Sequence, residues 1–481
     1  MININPTLFN DLEIADFLKQ YFNDSEKYLI DDVSVIKERN DICKELLNNR
    51  DLADILLRLF DVSIPITDIS SISEGEPIQI IRRMNCVKKF FDTATEFIKF
   101  IGSTKNLPPF FMKISHLLQV QIEKNYPKDF DNLWATYASG ADISRSISYR
   151  INFSKDIGIK SIAMTAVNNK RYTERSLINR FVGKHRDMQV HSLLTIVPGF
   201  AAEKEGFLSK YVETNVIHRF SDSVISMFRE QTSAVKSQLT AMERSLEIRE
   251  ITEELRFVVG LYNCAQAMTS HMCFAEIRDK NGRILSAEKM IHPAFAGDGT
   301  TNDIQIKNDC DFILLGGVNR GGKTTFLRTA GVIQVFFQLG LPVPAKKATI
   351  SPVSSIFSVF SSEESTELFQ GKLGRELTDL RDVFSQMDEH SFFLGNEPIC
   401  GTSPTESYLL SREALCILKA RNVRGLWVTH LFKLFDDIDE LNAIDFGSHF
   451  ECMRTSEDFK IESGKPEKYS AGREVFQKNG H

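Results

Sequence analysis

The chain lacks several features that would assign it to a class at once. No uninterrupted apolar run reaches membrane-spanning length, which leaves no ordinary transmembrane helix. Met1 is followed by polar and acidic residues rather than by a basic stretch and an apolar core, so a soluble cytoplasmic protein with no membrane partner is expected. The eight cysteines contain no C-x-x-C pair and have no histidine at metal-ligand spacing, which excludes a zinc finger or ribbon and leaves reduced thiols. Excess positive charge is missing too. With 58 basic against 64 acidic residues and a net charge of -6, a generally cationic nucleic-acid binder is excluded, and any DNA contact must be regional. Internal repeats and low-complexity tracts are also absent. What remains is a globular composition, 42% hydrophobic over 481 residues, long enough for two to four domains with buried cores.

One stretch organises the rest. Phe312–Leu315 reads as an apolar strand; it runs into a glycine-rich turn and then into an apolar helix from Thr324 to Leu339. Gly317, Gly322, Lys323 and Thr324 fit G-x-x-x-x-G-K-[ST], a phosphate-binding loop. Glycines let backbone N–H groups face a phosphate, Lys323 reaches the β/γ oxygens and the Thr324 hydroxyl suits Mg²⁺. Gly317, Asn319, Gly321, Gly322, Lys323, Thr324 and Thr325 are the candidate ATP-binding residues. Downstream, Ser391-Phe-Phe-Leu-Gly-Asn-Glu-Pro398 is a strand ending in a polar pair. Glu397 is the candidate for polarising water, while Asn396 stands where such sites usually carry Asp. An amide can accept from a metal-bound water but adds no negative charge, so Mg²⁺ affinity and turnover are expected to be reduced. A third strand, Leu426–Val428, ends at Thr429-His430, and His430 is a candidate sensor of the γ-phosphate.

The remainder supports a multidomain α plus α/β protein. Residues from about 7 to 135 show helical spacing, with breaks at Ser63-Ile-Pro65 and Asn106-Leu-Pro-Pro109, and Asp32–Arg39 opens a capped amphipathic helix. In 141–200, Ile147, Tyr149, Ile151 and Phe153 alternate with polar residues, and Ile162, Met164 and Ala166 repeat the period, as in a β-hairpin. Ten basic residues face four acidic ones between 141 and 190, an excess of six inside an otherwise acidic chain. That suits contact with a phosphate backbone through Arg145, Arg150, Lys170, Arg171, Lys184 and Arg186, and equally suits a solvated face. Residues 207–259 contain no Gly or Pro. As one helix they would span roughly 80 Å, which implies a lever or arm; the alternative is two antiparallel helices joined near Glu230–Ala234. The expected division is a helical core at 1–140, a small basic β or mixed insertion at 141–200, lever helices at 201–284 and a P-loop ATPase domain at 285–481.

With these residues in place, the chain resembles the MutS family of mismatch-repair ATPases, which have the ABC-type ATPase fold. The resemblance rests on His292-Pro293, Asn302-Asp-Ile304, the loop Gly317–Thr324, Val343-Pro-Ala345, Ile350-Ser-Pro352, Ile356-Phe357, Glu397 with Gly401-Thr-Ser403, Thr429-His430 and Ser463-Gly464…Tyr469-Ser-Ala-Gly472. It implies a dimer sandwiching ATP·Mg²⁺, with lever helices coupled to a DNA-holding clamp at the position of the basic segment. Lys323, Glu397 and His430 would be catalytic, and Thr324 and Asn396 would serve the metal. Departures are equally plain. The amino-terminal mismatch-reading domain is missing, Phe274-Ala-Glu276 matches the family's mismatch-reading letters in a position that reads as packing, and Gly371-Lys-Leu-Gly-Arg375-Glu376 replaces the serine-containing signature. A rival reading follows from Asn396 and that signature: a nucleotide-gated scaffold with a protein partner, little hydrolysis and no DNA role.

Overall fold

The computed structural model describes residues 1–67, 77–126, 146–153, 155, 159–168, 192–195, 247–268, 271–295, 299–307, 310–318, 320–361 and 371–467. Along the chain, β1 (Asn3–Ile4), α1 (Leu8–Asp11), α2 (Ala15–Lys19), α3 (Val33–Asn48), α4 (Arg50–Thr67), α5 (Pro77–Ser103) and α6 (Pro109–Asn125) come first. Strands β2 (Ser146–Phe153), β3 (Ile159–Asn168) and β4 (Ser192–Thr195) follow, then α7 (Arg249–Ala267), β5 (Glu276–Ile277), β6 (Leu285–Met290) and β7 (Asn302–Ile306). The last part runs β8 (Phe312–Gly316), α8 (Lys323–Leu339), β9 (Lys347–Ile350), β10 (Ser355–Phe360), α9 (Lys372–Gln386), β11 (Ser391–Asn396), α10 (Pro404–Ala420), β12 (Arg424–Val428), α11 (Phe432–Asn442), β13 (Phe450–Thr455) and β14 (Ile461–Ser463).

Two compact units result, one of Met1–Ala53, Asn106–Phe110 and Leu255–His481, the other of Asp54–Lys105 and Phe111–Glu254. The first is built on a seven-stranded sheet in the order β1-β10-β11-β12-β8-β13-β14, parallel except for the β13–β14 pair. A parallel sheet needs cover on both faces, and β8 shows how its sequence provides for that. Its side chains alternate: Phe312 and Leu314 pack with α9, α10 and α11, whereas Ile313 and Leu315 pack against α8. Helix α8 is buried nearly all round, which accounts for its predominantly apolar sequence, and its buried Gln334 and Gln338 are hydrogen-bonded to each other. In a second sheet, β5-β9-β6-β7, Asn302 at the start of β7 and Thr300 just before it bond to Phe459 and Asp458 between β13 and β14.

Residues 1–53 were expected to open a 1–140 helical core and instead belong to this unit. Asn3 and Ile4 pair with Ser355 and Ile356 at the sheet edge, and Leu8, Leu12 and Leu18 are fully buried in the core that contains α8. The amphipathic pattern tells which face of a helix is buried but not what covers it, so the partner could not be read from it. The boundary expected at 285 falls at Leu255, and Phe274-Ala-Glu276 leads into β5 with Phe274 packed on the core. The break expected at Ser63–Pro65 is not a break. Helix α4 includes Pro65, which lies in its last turn, where a missing N–H removes a single intrahelical bond. The break at Asn106–Pro109 does separate α5 from α6, and Asp32 caps α3 by accepting from Ser34 N at 2.8 Å.

The second unit buries Phe90, Phe91, Phe97 and Leu118 on α5 and α6, with Phe91 edge-on to Tyr126 at 5.1 Å. Its β2 and β3 form the antiparallel pair that alternation indicated, with β4 beside β3. Residues 201–246 of the expected lever lie outside the described residues.

Candidate functional site

Strand β8 delivers the chain to the phosphate-binding turn. Gly317 has φ 133°, and a Cβ there would run into the Thr455 hydroxyl, so glycine is required for the chain to pass β13. Arg320 and Gly322 are also left-handed, and α8 begins at Lys323 with no side-chain cap. Its first-turn amides are therefore the kind of donors that anions use at helix starts. Lys323 folds back over the turn, its Nζ donating to Gly317 O at 3.1 Å and Val318 O at 2.7 Å. Burial lowers its pKa, and Glu397 opposes that shift.

The neighbouring strands complete the arrangement. Thr324 Oγ1 donates to Asn396 Oδ1 at 3.1 Å, placing the amide beside the hydroxyl expected to serve a metal. At the end of β11 the chain turns through Glu397 at φ 51°, its N–H donating to Val428 O at 2.9 Å. The Glu397 carboxylate lies 2.7 Å from His430 Nε2, each side chain about one-third exposed. Behind this turn, the buried Glu376 carboxylate on α9 accepts from Gly401 N at 2.9 Å and Cys400 N at 3.1 Å. Ser403 caps α10, accepting from Glu406 N. Glu376, near the start of α9, thus ties that helix to the Cys400–Gly401 turn.

Gly321, Gly322, Lys323, Thr324, Thr325, Glu397 and His430 all line one cavity of about 740 Å³. Gly317, packed against Thr455, and Asn396, which accepts from Thr324, are not among its lining residues. Asn319 lies outside the described residues, as do Arg145, Lys170, Arg171, Lys184 and Arg186; Arg150 falls in β2. Among the described residues no group of three or more His, Cys, Asp and Glu side chains could hold a metal ion. The hydroxyl of Thr324 and the amide oxygen of Asn396 are hard donors of the kind Mg²⁺ accepts when nucleotide phosphates supply the charge, so they fit that ion.

Sequence reasoning missed the other wall. His292, Phe295, Thr300, Asn302 and Phe459 also line the cavity. Phe459 sits at the tip of the β13–β14 hairpin, where Asp458 and Phe459 are both left-handed, at φ 57° and 61°. Thr300 Oγ1 donates to Asp458 O at 2.9 Å, and Asn302 both donates to Phe459 O at 3.1 Å and accepts from Ile461 N at 2.9 Å. The Asn302-Asp-Ile304 and His292-Pro293 motifs were the available signals.

Residues 313–473 match the family model described as MutS domain V, the domain of the family's ATPase. Proteins named Endonuclease MutS2 are similar over longer stretches. That of Streptococcus equi subsp. zooepidemicus (strain H70) is 26% identical over 289 residues, 55% of this chain and 37% of the relative. That of Ligilactobacillus salivarius (strain UCC118) is 24% identical over 487 residues, 92% and 59% of the two chains. The chain therefore spans less than two-thirds of the length of these relatives. Residues 313–473, from β8 to β14, thus form a MutS domain V, and similarity to MutS2 proteins of the MutS family reaches almost the whole chain.

Proposed function

We propose that this chain is an ATPase that acts on DNA, with ATP and Mg²⁺ held in the cavity above β8. The reading is carried by one observation: Lys323, Thr324, Glu397 and His430, from three segments far apart in sequence, line one cavity. The turn amides and Lys323 would hold the phosphates, the ammonium exchanging the carbonyls of Gly317 and Val318 for phosphate oxygens. Thr324 and Asn396 would hold Mg²⁺, which supplies charge neutralisation at the β and γ oxygens when bound. Glu397 would orient the attacking water, with His430 fixing that carboxylate's direction and reaching the γ-phosphate. Phe295 and Phe459, 52% and 57% exposed, offer aromatic faces to the base. DNA as partner is supported by the relatives' name, which states an endonuclease, and by the basic excess at 141–190. Two subunits sharing ATP, with residues 201–284 coupling nucleotide state to the segment at 141–200, complete the proposal.

The test is a steady-state ATPase assay with and without duplex or branched DNA, at stated salt because phosphate contacts weaken with ionic strength. Turnover stimulated by DNA is expected, with Lys323→Ala losing ATP binding. Glu397→Gln should keep binding and lose turnover by roughly a hundredfold or more. The neutral Asn396 beside Thr324 favours a second reading, a nucleotide-gated scaffold. ATP binding without turnover or DNA response would establish it.

A further inference from the structure

The turn between α1 and α2 is held by three separate parts of the nucleotide unit. Arg328, on α8 five residues beyond Lys323, donates from Nε to Asp11 O at 2.8 Å and pairs through Nη1 with Glu13 at 2.7 Å. His292, in the cavity wall, places Nε2 3.2 Å from Leu12 O. A carbonyl only accepts, so that nitrogen carries the hydrogen, and Nδ1 accepts from Ala294 N at 3.3 Å. The Asp11 carboxyl accepts from Ser358 Oγ on β10 at 2.7 Å, and β10 pairs with β11 up to Asn396. Between these anchors Glu13 is left-handed at φ 58°, a conformation that a non-glycine residue keeps only where its surroundings over-determine it. Leu12 packs so closely on Gly331 of α8 that a Cβ there would collide with it. The far end of α8 is tied to the same segment, since Gln338 Nε2 donates to Ile30 O at 2.9 Å.

We propose that the turn Asp11–Ile14 senses nucleotide occupancy, with Arg328 and His292 as its positioning residues. The inference rests on the nucleotide-binding reading above. Phosphate entry draws Lys323 away from the carbonyls it now holds, and α8 is a buried, close-packed helix that passes such a movement on as a rigid body. Leu12 against Gly331 leaves no slack to absorb it. The turn follows, and residues 15–49 lead from it into α4, the helix along which the chain passes from the first unit to the second.

The test uses the full chain, with hydrogen exchange followed in peptides covering residues 7–20, with and without Mg·ADP or a non-hydrolysable ATP analogue. In the unaltered protein, nucleotide is expected to change exchange of this turn by about fivefold or more. Arg328→Ala should bind nucleotide within about twofold of the parent while its turn no longer responds. Should that variant fail to fold, Glu13→Gln, which removes the ion pair alone, should reduce the response. The proposal is overturned if bound nucleotide leaves the turn's exchange unchanged in the parent, or if the folded variant responds as the parent does. Failure of any nucleotide to bind is a different result, which removes the proposed function and this inference with it.

Discussion

At the scale of single residues, the proposed Mg²⁺ site meets an amide at Asn396 rather than a carboxylate. Its amide oxygen already accepts from Thr324 at 3.1 Å, so a carboxylate fits the same space with little rearrangement. Asn396→Asp is therefore expected to tighten Mg²⁺ by roughly tenfold and to raise turnover. Titration of Mg²⁺ into the ATPase reaction at fixed ATP checks this, and an unchanged midpoint would remove Asn396 from the metal's surroundings. His292 gives a pH prediction. Burial holds its imidazole below the ordinary range, so the unfolded chain takes up a proton near pH 6.5 that the folded chain resists. Stability should thus fall as pH drops below about 6.5, by at most about 1.4 kcal/mol per unit from this group, until the folded-state pKa is reached. Denaturant midpoints at pH 7.5 and 5.5 for the parent and His292→Gln isolate the contribution. If the pH dependence is the same in both, His292 is not its source.

At the scale of elements, the β13–β14 hairpin is the part of the cavity with no local signature. Two successive left-handed non-glycine residues cost about 1–3 kcal/mol each, and the hydrogen bonds from Thr300 and Asn302 offset that strain. If Phe459 stacks on the base, Phe459→Ala should weaken ATP binding by roughly tenfold while turnover at saturating ATP stays near the parent value. Equilibrium binding measured beside kcat distinguishes this from a loss of catalysis, and unchanged affinity would place the base elsewhere. The contrast with β8 explains what could be read in advance. Strand, turn and helix from Phe312 to Leu339 are contiguous, and their chemistry lies in neighbouring letters; likewise Glu397 and His430 each end an apolar strand. The hairpin's position depends on pairing Thr300 with Asp458 across 158 residues, and nothing in either stretch names the other. The helices of residues 1–53 follow the same logic, because their apolar stripe was visible and its partner, α8, was not.

At the scale of the whole molecule, the first 53 residues bear on where the first unit ends as a folding unit. Leu8, Leu12, Ile14, Leu18, Phe22, Leu29 and Ile36 are at most 3% exposed and share one core with α8 and the second sheet. A fully buried apolar side chain stabilises by about 1.5–3 kcal/mol, so these seven together contribute on the order of 10–20 kcal/mol. Whole domains are stable by only about 5–15 kcal/mol, so their removal exceeds what the remaining chain can tolerate. A fragment of residues 255–481, although it contains the domain V match at 313–473, should therefore be insoluble or lack a cooperative thermal transition. Linking residues 1–53 to it should restore both the transition and nucleotide binding, because Arg328, Gln338 and Ser358 recover their partners at Asp11, Glu13 and Ile30. Differential scanning calorimetry of the two fragments separates the possibilities. A cooperative transition in 255–481 alone, at the temperature of the linked fragment, would show that these residues only decorate the sheet edge.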